Sequence, residues 1–152
     1  MSKLETLRSL QTRIREATEA NLDIDWDVWR ALSAPLEMCG QKIESIFRDG
    51  DTTEASFWGC RTVDGFNYLG CGQIPRLTSD PGGLGACVAL MREVLPGWRR
   101  DSFQMVDHFS VFVSNPDQDQ EHAYHSLETH ATLIAIVSAL IAIEEAKEKA
   151  DV

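Results

Sequence analysis

The segment Ala131 to Ile143, ATLIAIVSALIAI, constrains the fold more than any other stretch. It reads as a helix with apolar residues on every side rather than along one stripe, and such a helix is a buried one. Other elements must wrap it, so it is expected at the centre of the packing. Its charged continuation, Glu144 to Lys149, is expected in solvent. Thr129 or Thr132 stands where a cap is needed.

The wrapping elements are legible in part. Leu4, Leu7, Leu10, Ile14 and Ala17 recur at spacings of three and four, which predicts a helix from about Ser2 to Ala20. Ser2 and Glu5 form a capping-box pair at its start, and Asn21 can end it in the left-handed conformation. Asp25 is placed to cap a second helix, Trp26 to Leu32, with Trp26 and Trp29 on one side. Pro35 opens a predicted third helix to about Arg48, stopped by Asp49-Gly50. From Ala55 the pattern changes. ASFWGCRTV and FNYLGC flank Asp64-Gly65, a strong hairpin pair.

Thr78 to Arg100 then reads as turn, helix, stop and strand. Ser79 or Asp80 caps the helix, Pro81 fills its first turn, and Leu84, Cys87, Val88, Met91 and Leu95 form its buried side. Pro96-Gly97 stops it. Trp98–Val106 and His108–Val113 read as strands, antiparallel because the gap between them is too short for a parallel crossover. Asn115 to Thr129 reads as a mobile polar loop.

These elements predict one α+β domain over residues 1–152: a small antiparallel sheet of about four strands in a two- or three-layer sandwich, with the C-terminal helix buried. The net charge of −10 argues against nucleic acid as a partner, because phosphates reward Lys and Arg. The N-terminus lacks the apolar core of a signal peptide, and no unbroken apolar run reaches the ~18 residues of a membrane span. The four cysteines have no CxxC spacing. A cytoplasmic chain with reduced thiols and no membrane partner is expected.

The order of these elements resembles a family of small phage and prophage proteins related to the phage ABA-sandwich domain. Four segments carry the likeness: LRSLQTRIREATEANLDID, WDVWRAL, Pro75 through Trp98, and THATLIAIVSALIAI. Pro96-Gly97-Trp98 is the most specific junction. Asp80-Pro81-Gly82-Gly83 is longer and richer in glycine than the family pattern, and the 115–129 segment looks like an insertion. The resemblance implies a phage origin and an α/β sandwich, and it implies no reaction.

No catalytic signature is present, and no cofactor is called for: HExxH, GxSxG and kinase motifs are absent. His122, His125 and His130, with Glu121 and Glu128 beside them, suit a solvated loop or a zinc site. His108 reads as structural. The DPGGLG turn is a structural element or a phosphate contact at a helix start. That contact would use Arg76, Thr78, Ser79, Gly82 and Gly83, with Arg99 and Arg100 offsetting the charge of Asp80. Trp58 and Tyr68, with Phe57 and Phe66, read as core or as exposed rings for a flat ligand or partner subunit.

The expected function is that of a non-enzymatic, phage-encoded accessory protein in the host cytoplasm. In its specific form it is a homo-oligomeric counter-defence sponge for a nucleotide-derived signal. The alternatives are a protein-interaction or structural module and a metal-dependent hydrolase built on the three histidines.

Overall fold

A computed structural model describes residues 1–52 and 55–151. Along the chain run α1 (Lys3–Glu16), α2 (Leu22–Leu32), β1 (Glu37–Met38), β2 (Gln41–Asp51), β3 (Ser56–Thr62), β4 (Asn67–Gln73), α3 (Leu84–Val94), β5 (Arg99–Gln104), β6 (Phe109–Ser114), β7 (Gln120–His125) and α4 (Glu128–Ala150). The fold is α+β. Its strands form two antiparallel sheets, ordered β1-β2-β3-β4 and β5-β6-β7.

Helix α4 lies where its composition demands. Thr129 through Val137 and Ala139 are all buried, packed among α1, α3, β6 and β7. Val111, Val113 and Ala123 point at it from the inner face of the second sheet, and Leu7, Leu10 and Ile14 do so from α1. By length and composition alone α4 is long and apolar enough to cross a membrane, but 56% of its apolar window is buried within the protein. Its N-cap residue makes no side-chain bond to the first turn. Leu127 holds the N-cap position, so neither Thr129 nor Thr132 caps it; Thr132 instead donates its hydroxyl hydrogen bond to the Glu128 carbonyl at 2.8 Å. Asp80, expected to cap α3, accepts from the Thr129 N–H at 3.2 Å and serves α4. Gly83 takes the N-cap position of α3, without a side-chain bond.

Local signals elsewhere hold. Ser2 Oγ accepts from the Glu5 N–H at 3.1 Å and the Glu5 carboxylate accepts from the Ser2 N–H at 2.8 Å, the reciprocal capping box. Asp64-Gly65 turns the β3–β4 hairpin, with Gly65 at φ 90°. Gly97, at φ 84°, follows α3 as expected.

Three further expectations are corrected. Asn21 does not end α1; it is extended and starts α2, its side chain accepting from the Ile24 N–H at 3.0 Å, while Asp25 sits inside α2 and is fully buried. The third helix is absent. Residues 37–51 form β1 and β2 around Cys39 and Gly40, whose φ values of 51° and 80° make a two-residue hairpin turn that no helix can pass through. Ile46, spaced as if for a helix, packs instead on Trp26, Trp29 and Ile74. Gly50, at φ 84°, falls at a register shift in β2 rather than at a helix stop.

The third correction concerns the 115–129 segment. It is no loop throughout, because residues 120–125 form β7, paired along its length with β6. Its inner face has one buried apolar residue, Ala123. Period-2 alternation is therefore faint in the sequence although the register is well defined.

Candidate functional site

The glycine-rich turn is tied down by its own neighbours. Thr78 is fully buried. Its N–H and its hydroxyl both donate to Asp25 Oδ1 at 2.7 Å, and the hydroxyl accepts from the Asn21 N–H at 2.8 Å. Arg76 Nε lies 3.5 Å from Asp25 Oδ2. Burial pushes the Asp25 carboxyl above its ordinary range, opposed by the Thr78 bonds and by the charge of Arg76. Gly83 has no room for a side chain: a Cβ there would stand 2.1 Å from the Arg76 carbonyl and 2.6 Å from that of Ser79. Gly82 is exposed, with Ser79 Oγ at 3.5 Å from the same imagined atom.

The other expected residues are dispersed. Strand alternation sends Arg100 inward, where it pairs with Glu128 and its Nε donates to Thr132 Oγ1 at 3.1 Å. Arg99 points outward and pairs with Asp101 at 3.2 Å. Trp58 belongs to the first sheet and packs on Trp29, ring centroids 5.2 Å apart, while Tyr68 lies on β4 opposite Cys60. Cys87 is sealed in the core, its thiol pushed up to about 12 by burial, so it is no nucleophile at neutral pH.

The three clustered histidines separate by the same alternation. His122 faces outward, while His125 turns inward and stacks on His130, centroids 4.7 Å apart. His125 Nδ1 accepts from the Leu127 N–H at 2.9 Å, which assigns the proton to Nε2 and the donor role to it, toward the Ala17 carbonyl at 2.8 Å. Among the described residues no group of three His, Cys, Asp or Glu side chains is placed to hold a metal ion.

What the fold does assemble is a row of rings on the outer face of β5-β6-β7. Phe103 meets Phe112 edge-on at 5.9 Å, and Phe112 stacks on His122 at 4.2 Å with planes 11° apart. Tyr124 follows at 6.0 Å from His122, and His108 at 5.8 Å from Tyr124. Opposite faces of each strand explain the placement. Val111, Val113 and Ala123 go in toward α4, so Phe112, His122 and Tyr124 go out. No element of the described chain covers this face: Phe103 is 54% and Tyr124 68% exposed.

Polar groups border the row. At its Tyr124 end lies a cleft of about 580 Å³ lined by Arg15, Asp107, His108, His122 and Tyr124, among others. Asp107 accepts from His108 at 2.7 Å, and this bond holds the Asp107 carboxyl below its usual range. Among the described residues, Arg15 has no ion pair, and neither the His122 nitrogens nor the Tyr124 hydroxyl have a hydrogen-bond partner. These groups, with the flat rings, can stack on a planar ligand and bond its edges and its charge.

Sequence reasoning missed this row. It read His108 as structural and did not single out Phe103, Phe112 or Tyr124. The one available signal was the alternation in HFSVFV, which assigns His108, Ser110 and Phe112 to the face opposite Val111 and Val113. No family model, curated protein or solved structure matches the chain.

Proposed function

We propose that this protein is a non-enzymatic binding protein that takes a small nucleotide-type ligand on the outer face of β5-β6-β7. The observation that carries this reading is the unbroken row of Phe103, Phe112, His122, Tyr124 and His108 on a sheet face that no described element covers, bordered by the guanidinium of Arg15. A base stacked on such a ring gains ~1–3 kcal/mol, and a guanidinium suits a phosphate. The net charge of −10 favours a small ligand over a polyanionic chain. The accessory role in the host cytoplasm, and the counter-defence sponge in particular, rest on the resemblance of four segments to phage proteins.

Titration calorimetry against cyclic nucleotides and ADP-ribose derivatives tests the reading. Saturable binding that His122→Ala and Tyr124→Ala abolish is the expected result. Absence of heat across the panel at millimolar concentration overturns it.

A protein-interaction role, including self-association, is favoured by a different surface. Val63, Phe66 and Leu69 around the β3–β4 hairpin are 59%, 63% and 71% exposed. Apolar side chains grouped in this way mark contact surfaces. Light scattering of the wild type and of Phe66→Ser/Leu69→Ser separates the two: a larger wild-type mass that the double variant loses supports self-association.

A further inference from the structure

We infer that the ligand of this face carries two bases joined through phosphate, one seated at each end of the ring row; the inference rests on the nucleotide reading above. The row has a hollow at both ends. Beyond the cleft at Tyr124 a second one, of about 300 Å³, lies at the Phe103 end, lined by Arg99, Asp101, Phe103, Phe112 and Gln120, among others. Ser110 borders the first hollow and Ser114 the second, both on the outer face of β6. Four residues of strand separate them, about 14 Å.

The two hollows repeat one set of groups. Each has an exposed ring (Tyr124 or Phe103), a carboxylate (Asp107 or Asp101) and a guanidinium (Arg15 or Arg99). The ring stacks a base, the carboxylate accepts from its N–H groups, and the guanidinium meets phosphate. Between them the space is taken by the protein's own stacked pair, Phe112 and His122. That pair leaves no place for a third base in line, and its imidazole nitrogens, without a partner among the described residues, can meet a linking phosphate.

Charge also favours a short ligand. Arg99 is paired with Asp101, and Arg15 has no ion pair among the described residues while Asp107 bonds His108, so the charges that line the two hollows nearly cancel on a chain of net charge −10. One or two phosphates are matched by the two arginines, and a longer polyanion meets the rest of an acidic surface.

The test compares GMP with the linear dinucleotide GpG by titration calorimetry, since guanine offers adjacent N–H donors to a carboxylate. GpG is expected to bind at least about tenfold more tightly than GMP, the worth of one further stacked base. Phe103→Ala and Tyr124→Ala should each cost GpG about tenfold, while GMP loses affinity only in Tyr124→Ala, at the larger hollow with the unpaired arginine. Both side chains are exposed, and circular dichroism checks that each variant is folded. Equal affinity for GMP and GpG, or a silent Phe103→Ala, overturns the two-base inference and leaves the nucleotide reading standing. Binding of neither compound at millimolar concentration overturns both.

Discussion

The imidazole of His130 lies face to face with that of His125, ring centroids 4.7 Å apart and planes 19° from parallel. His130 is fully buried, and burial, then the neighbouring His125, lower its pKa below the ordinary 6.5. The Glu19 carbonyl and the Asp80 carboxylate oppose that shift, and the Thr129 hydroxyl contacts Nδ1 at 3.2 Å. The unfolded chain therefore takes up a proton that the folded chain refuses. Stability is full above about pH 6.5 and falls as the pH drops from there toward the depressed folded value. Melting temperatures between pH 7.5 and 5.0 should show the decline, and His130→Gln should flatten it. An equal decline in that variant would rule out His130 as its source.

Asp25 and Thr78 join α2 to the turn before α3. Asp25→Ala would leave the Thr78 donors without their acceptor and Arg76 without its carboxylate, in a buried place. A loss of about 3–5 kcal/mol is expected. Thr78→Val keeps the shape and the N–H bond to Asp25 but loses the hydroxyl's bonds to Asp25 and to the Asn21 N–H, and should cost about 1–3 kcal/mol. Urea denaturation measures both.

Adjacent glycines should respond very differently. Gly83→Ala places a methyl against two backbone carbonyls at 2.1 and 2.6 Å, so the turn must open. A loss of about 3 kcal/mol is expected. Gly82→Ala meets only Ser79 Oγ at 3.5 Å and should lie within about 0.5 kcal/mol of wild type. Comparable losses would show that the turn is not packed in this way.

Rings of the two sheets should separate stability from binding. Trp58→Ala removes a ring that packs on Trp29 and should cost about 2–3 kcal/mol without altering ligand affinity. Tyr124→Ala, at an exposed position, should leave the melting temperature unchanged and weaken binding.

Thiol labelling at pH 8 should distinguish the cysteines. Cys39 is exposed and should react rapidly, whereas Cys87, buried and pushed up to about 12, should react only on unfolding. Peptide mapping of the adducts should find Cys39 labelled early and Cys87 unlabelled before unfolding, and an early adduct on Cys87 would show that it is not sealed in the core.

By itself the sequence determined the elements whose signals are local. The Ser2–Glu5 box starts α1, Asp64-Gly65 turns a hairpin, Pro96-Gly97 stops α3, and the all-round apolar composition of α4 requires burial. Each depends on backbone groups or periodicity within a few residues. The tertiary structure decided the rest. Asn21, an apparent stop, became a start, and Asp25, an apparent cap, became a buried partner of Thr78, 53 residues away. Residues 37–51 became strands, because pairing with β3 places Ile46 on the Trp26–Trp29 cluster. Residues 120–125 became a strand, because β6 offers an edge and Ala123 fits under α4. The ring row exists only through that register: Phe112 meets His122 because their strands pair, and no spacing along the chain encodes a contact between neighbouring strands.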